Sequence, residues 1–166
     1  MMKRWPAYLL TAVLALTFAF EAGAQEDVWA RVKEVNMPRK TLTANWNRIY
    51  RSPMLQDDIL SEGTVSIVEP DNLRWETLKP VQRVTVLDGQ ERGRFRLPQE
   101  KDFKVNVLDG DTYTIQLNPL RRDLKQLIGQ IVLTVEKKSY KLLNVTILGI
   151  YGDWTQITFS NVKMDE

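Results

Sequence analysis

One stretch restricts the fold more than any other: Gly63 to Pro80, GTVSIVEPDNLRWETLKP, continuing into VTVLDG, which ends at Gly89. Val65 and Ile67 alternate with Thr64, Ser66 and Val68; Leu73 and Trp75 alternate with Arg74 and Glu76; Val84 and Val86 alternate with Arg83 and Thr85. A period of two makes one face of a sheet apolar and the other polar. Glu69-Pro70-Asp71-Asn72 is turn chemistry between the first two runs, and Asp88-Gly89 is a hairpin signal after the third. Three antiparallel strands follow, with an apolar face that other parts of the chain must cover.

The first 24 residues stand apart from this pattern. Lys3 and Arg4 precede an apolar run, Leu9 to Phe20, that is too short for a bilayer span of about 20 residues. Ala22-Gly23-Ala24 then supplies a cleavage site before Gln25, the form of a secretory signal peptide. The expectation is a leader over 1–24, cut after Ala24, and one domain over 25–166. No cysteine stands at the cleavage site to carry a lipid, so the released chain is expected to be soluble.

Without Lys3, Arg4 and Glu21, the remaining 21 basic and 20 acidic residues nearly cancel, which argues against nucleic acid as a partner. Histidine and cysteine are both absent. That removes Ser-His-Asp and Cys-His catalysis, His- or Cys-ligated metals and any disulfide framework. Asp57 and Asp58 form a paired-acid loop, but the ligand spacing of a calcium loop is missing. No metal or cofactor is implied, and stability must come from a core.

Along the chain, Asp27 to Asn36 reads as an amphipathic helix, with Val28, Val32 and Val35 at i, i+4, i+7, Trp29 beside them, and Pro38 as its stop. Such a helix packs on the domain or lies on a membrane surface. Thr41 to Arg51 is a strand with Leu42, Ala44, Trp46 and Arg48 on one face. Gln90 to Leu97 makes a return strand whose Arg92, Arg94 and Arg96 either meet phosphate or lipid headgroups or form a solvated face. Phe103–Leu108 and Thr112–Leu117 form a hairpin around Asp109-Gly110-Asp111. Asn118-Pro119 looks like the start of a second short helix carrying Leu120, Leu124, Leu127 and Ile128, ended by Gly129. Strands at 131–135, 143–148 and 154–162 close the chain, the last with Ile157 and Phe159 on one face. Nine or ten strands of this kind twist, and the sheet must curl. The expected fold is mainly β: a single antiparallel sheet forming an incomplete barrel, with two helices over its concave face. Whether that interior is filled core or ligand cavity stays open at this point.

The segment SEGTVSIVEPDNLRWETLKP with VTVLDG resembles the signature of LolA-like periplasmic carriers of outer-membrane lipoproteins, closest to Bacteroidetes-type members. TLTANWNRIYRSPML, KDFKVNV, YTIQLNPLRRDLKQLIGQIVLTV and VTILGIYGDWTQITFSNVK resemble the other strands and short helix of that family. The resemblance implies an unclosed barrel with helices as a lid over a hydrophobic cavity. It implies a monomeric periplasmic shuttle that makes and breaks no bonds. The shuttle takes lipoprotein acyl chains from an inner-membrane transporter and passes them to an outer-membrane acceptor. By matched position Trp46, Leu73 and Trp75 line the cavity, and strand parity adds Val65, Ile67, Val84 and Val86. Val28, Trp29, Val32, Leu124 and Leu127 are then the lid. Two departures stand out: Glu69 replaces a residue that is often basic before the turn proline, and the segment Arg96 to Lys101 is shorter than in the family. A periplasmic sensor or envelope-assembly binding module on the same half-barrel is the other reading; an enzyme working with carboxylates lacks an outstanding acidic pair.

Overall fold

The computed structural model describes residues 26–36, 40–68, 72–87 and 100–164. The expected leader over 1–24, the expected turns at Glu69–Asp71 and Asp88-Gly89, the expected return strand with Arg92, Arg94 and Arg96, and the segment up to Gln99 lie outside the described residues. A helix, α1 (26–36), precedes nine strands. These are β1 (Thr41–Arg51), β2 (Ile59–Val68), β3 (Asn72–Lys79), β4 (Arg83–Leu87), β5 (Phe103–Asp109), β6 (Tyr113–Pro119), β7 (Ile128–Val135), β8 (Leu142–Gly149) and β9 (Trp154–Met164). A single 3₁₀ turn, Glu100–Asp102, leads into β5, and one helical turn, α2 (Arg122–Lys125), joins β6 to β7.

All nine strands form one antiparallel sheet in the order β4-β3-β2-β1-β9-β8-β7-β6-β5. Among the described residues β4 and β5 are not paired to each other, so the curled sheet is an unclosed barrel. Directly opposed residues share a face, so the register identifies the inner surface. Leu73 and Trp75 face Ile67 and Val65, Trp46 faces Phe159, Ile157 faces Val145, Leu133 faces Ile115, and Ile115 faces Val107. The inner face is therefore apolar from β3 to β5.

Two buried clusters divide that face. Val32 of α1 packs with Val107, Ile115 and Val135, flanked by Val28 and Trp29, so α1 covers the β5–β8 half. Ala44, Trp46 and Val65 form the second cluster, with Leu42, Ile67, Leu73, Trp75, Ile157 and Phe159 against it. Its central contact is a stack of Trp46 on Trp75, with ring centroids 4.7 Å apart and planes at 23°. The Trp46 ring lies over Gly63, where β2 and β3 slip register between Glu62 and Gly63.

Three local expectations are corrected. Asn118 and Pro119 do not start a helix: they end β6, opposite Lys104 and Phe103. Ile128 and Gly129 extend β7 backwards, because Ile128 pairs with Gly149, and this leaves only one turn for α2. Ladder pairing outweighed the weak propensity of a nine-residue leucine repeat. In β4, Thr85 sits opposite Trp75, while Val84 and Val86 sit opposite Glu76 and Arg74 on the outer face, where both are exposed. Alternation marks two faces of an edge strand but does not say which one points inward; the register does.

A Cβ at Gly63 would stand 1.9 Å from the Glu76 carbonyl oxygen and 2.7 Å from Trp46 Cζ2. Gly63→Ala is therefore expected to force β2 and β3 apart and displace the indole, costing at least about 1–3 kcal/mol as overpacking does. Urea unfolding monitored by tryptophan fluorescence reads this loss directly.

Candidate functional site

Covering half the inner face with α1 leaves the other half with space above it. An apolar cavity of about 190 Å³ lies there, lined by Asn36, Leu42, Ala44, Val65, Ile67, Leu73, Trp75, Leu142, Phe159, Val162 and Met164. Of the seven residues expected from sequence, Val65, Ile67, Leu73 and Trp75 line it directly. Trp46 is buried beneath Trp75 and forms the floor rather than the wall. Its Nε1–H donates to the Thr64 carbonyl oxygen at 3.1 Å, which satisfies the one polar atom of the indole. Val84 and Val86 are outside the cavity, on the far side of the sheet.

The remaining lining residues carry partial sequence signals. Leu42 and Ala44 share the parity of Trp46, and Phe159 faces Trp46 across β1 and β9. Val162 and Met164 have the wrong parity relative to Phe159. Asn161 adopts a positive φ of 51°, and the β1–β9 pairing slips between Thr43 and Asn45, which turns the last residues of β9 back inward. A bulge of this kind inserts one residue and inverts everything beyond it. It has no hydrophobicity signature.

The expected lid residues fall in three places. Val32 is buried, and Val28 and Trp29 are half-buried against the β5–β8 cluster, beside the cavity rather than over the tryptophan stack. Leu124 is buried in the one-turn α2, whereas Leu127 is exposed and does not lie against the sheet.

Polar contacts fasten α1 at both ends. Trp29 Nε1–H donates to Glu100 Oε1 at 2.8 Å, and Lys33 Nζ bonds Glu100 Oε2 at 2.7 Å. At the C-terminal end, Asn36 Nδ2 donates to the Tyr140 carbonyl oxygen at 2.7 Å, and Leu142 N–H donates to Asn36 Oδ1 at 2.9 Å. Lys33 and then Trp29 hold the Glu100 carboxyl below its ordinary value. The ion pair is half-exposed, and pairs of that kind contribute little net stability. These contacts orient the helix more than they anchor it.

Arg48 also lies on the inner face, opposite Ser61 and Ile157. Its Nη2 donates to Ser61 Oγ at 3.0 Å, and its Nε is the one buried side-chain polar atom without a hydrogen-bond partner among the described residues. Asp58, half of the paired acids, is bound bidentately by Arg51 at 2.6 and 2.7 Å, which lowers its pKa. Among the described residues no group of three acidic, His or Cys side chains is placed to hold a metal ion. No helix among them is long and apolar enough to cross a membrane.

Two measurements probe this geometry. Trp75→Ala uncovers Trp46 and is expected to cost about 3–5 kcal/mol, the range for truncating a packed aromatic, in denaturant unfolding. The Glu100 tether stabilises the docked helix above the ordinary glutamate pKa of 4.5 and is lost as pH falls through the lower folded value. Protection of the amides in 26–36 against hydrogen exchange, corrected for the intrinsic pH dependence, is therefore expected to fall modestly below that pH, and to be modestly reduced already at neutral pH in Glu100→Gln.

No family model matches the sequence, and no curated protein matches it. Solved structures do. A domain named as an outer-membrane lipoprotein-sorting protein, from Vibrio parahaemolyticus, is 11% identical, with 86% of this chain and 92% of that one covered and a TM-score of 0.47. A LolA superfamily protein from Nitrosomonas europaea is 11% identical, with 86% and 94% covered and a TM-score of 0.36. MucB is 12% identical, with 87% of this chain but 60% of that chain covered and a TM-score of 0.49. The structural neighbours are thus proteins of the LolA superfamily and of lipoprotein sorting, together with MucB, and at this identity the function of the present chain rests on its own geometry.

Proposed function

We propose that this chain is a periplasmic carrier that binds the acyl chains of lipoproteins in the cavity of its half-barrel and delivers them towards the outer membrane. The supporting observation is the unfilled apolar space over Val65, Ile67, Leu73 and Trp75, beside a helix whose end contacts are polar and partly exposed. The leader expected over 1–24, and the resemblance of the segment 61–89 to the carriers, agree with this reading. An inner-membrane lipoprotein-releasing transporter as donor and an outer-membrane acceptor follow from the same resemblance. No catalytic chemistry is needed.

The cavity of about 190 Å³ is smaller than the several hundred Å³ of ordinary ligand sites. Extended acyl chains therefore require α1 to move. Each buried methylene contributes about 0.8 kcal/mol, so a preformed groove for several chains would hold cargo almost irreversibly. Displacing Val28, Trp29 and Val32 from their own cluster opposes that gain and keeps release accessible. Cargo and helix compete for the same inner surface.

The small cavity also favours a second reading, a non-transport sensor or envelope-assembly module in which the inner face stays closed. Titration with a fluorescent long-chain acyl probe separates the two. A carrier takes up the probe, more tightly when Glu100→Gln loosens α1 and at least about tenfold more weakly in Ile67→Glu, which places a carboxylate in the apolar wall. A module that keeps its helix docked ignores the probe in every variant. Unchanged uptake in a folded Ile67→Glu protein removes this cavity from the mechanism.

A further inference from the structure

Two neighbouring strands, β8 and β9, part before they end. Their ladder runs from Leu148 opposite Trp154 to Asn144 opposite Thr158, and beyond that pair no ladder contact joins them among the described residues. β8 nevertheless begins at Leu142, which pairs with Val135 of β7, and β9 runs on to Met164, which pairs with Leu42 of β1. Each strand takes one extra residue there against its other neighbour. Asn144 faces Thr134 but Leu142 faces Val135, and Ser160 faces Asn45 but Lys163 faces Thr43. Bulges bend the strands that carry them, so a pair on adjacent strands opens a seam in the sheet. The seam borders the cavity. A depression of about 500 Å³, within the usual range of ligand sites, shares Asn36, Leu142, Phe159, Val162 and Met164 with the apolar cavity, and the two spaces adjoin through those residues. On the solvent side it adds Lys141, Leu143, Ser160 and Asn161, all exposed.

A strand that loses its neighbour leaves N–H and C=O groups to be satisfied in another way. On the β7 side, the Glu136 N–H donates to the Lys141 carbonyl oxygen at 2.9 Å. The Tyr140 carbonyl and the Leu142 N–H turn instead to one side-chain amide. Asn36 Nδ2 donates to the first at 2.7 Å, and the second donates to Asn36 Oδ1 at 2.9 Å. An adjacent strand would make the same two bonds. Asn36 thus shows what this edge accepts: a peptide group. It also belongs to α1, the helix that extended acyl chains have to displace. We propose that the peptide joined to those chains then leaves the half-barrel through the β8–β9 seam, taking over the Tyr140 carbonyl and the Leu142 N–H from Asn36. This rests on the carrier reading and adds the route of the polar part of the cargo. One amide replaces another with little net change, so the peptide compensates for Asn36 as the acyl chains compensate for Val32. The chains lie inside, and the polypeptide they anchor stays in water.

Competition against the fluorescent acyl probe tests this on the chain from Gln25. The competitors are dodecanol, an N-dodecanoyl tetrapeptide amide of glycine and serine, and the same lipopeptide with an N-methylated backbone. The lipopeptide is expected to displace the probe at about tenfold lower concentration than dodecanol, as two added hydrogen bonds allow, and N-methylation is expected to remove that advantage. Ser160→Trp, at an exposed position on the seam, is expected to abolish the advantage while leaving dodecanol unchanged, with circular dichroism as the check of folding. A photoreactive second residue in the peptide is expected to label 140–144 or 160–164. Equal displacement by dodecanol and lipopeptide, an advantage that survives N-methylation or Ser160→Trp, or labelling elsewhere overturns the seam and leaves the carrier reading standing. A protein that takes up no acyl probe at all overturns both.

Discussion

A single helix cannot cover a nine-stranded sheet. Nine strands at about 4.8 Å spacing span roughly 40 Å, whereas a helix is about 10 Å wide and α1, with its eleven residues, is about 16 Å long. The sheet reduces this mismatch by curling, and α1 satisfies the β5–β8 half through Val32. The other half falls back on self-coverage. Trp75 lies on Trp46, Trp46 lies on Gly63, and the wall around them stops short of filling the space. Cavity, tryptophan floor and helix placement all follow from that shortage of covering surface.

On the proposed carrier reading, the same shortage leaves the site poised rather than rigid. Burial of Val32, Val28 and Trp29 draws α1 to the sheet, while Glu100 and Asn36 fix its orientation through contacts that water can replace. A helix held in this way can exchange one apolar surface for another of similar area. The inward Arg48, bound through Ser61 but with Nε unsatisfied, adds a polar point to the floor beyond the tryptophans.

Much of the architecture was legible because period-two alternation is a local property. β1 runs over Thr41–Arg51 as read, the helix covers 26–36 against an expected 27–36, and Val65, Ile67, Leu73 and Trp75 share a face as their parity requires. The failures occur where non-local pairing overrides a local pattern. Ile128 and Gly129 read as the end of a helix until Gly149 pairs with Ile128 and Leu148 with Gln130, which carries Gly129 into the strand between them. Val84 and Val86 read as inward until the β3–β4 register puts Thr85 opposite Trp75. Val162 and Met164 stand at parity opposite to Phe159, and only the irregularity at Asn161 brings them to the cavity.

By itself, the sequence determined that this chain is an antiparallel β-protein with one greasy face, an amphipathic helix to cover part of it, and no histidine or cysteine chemistry. Tertiary structure alone decided which half of that face the helix takes, which side chains border the space that remains, and that β8 and β9 part beside it. The reason is physical. Alternation is written residue by residue, whereas register, bulges and the alignment of separate hairpins depend on hydrogen bonds between strands far apart in the chain.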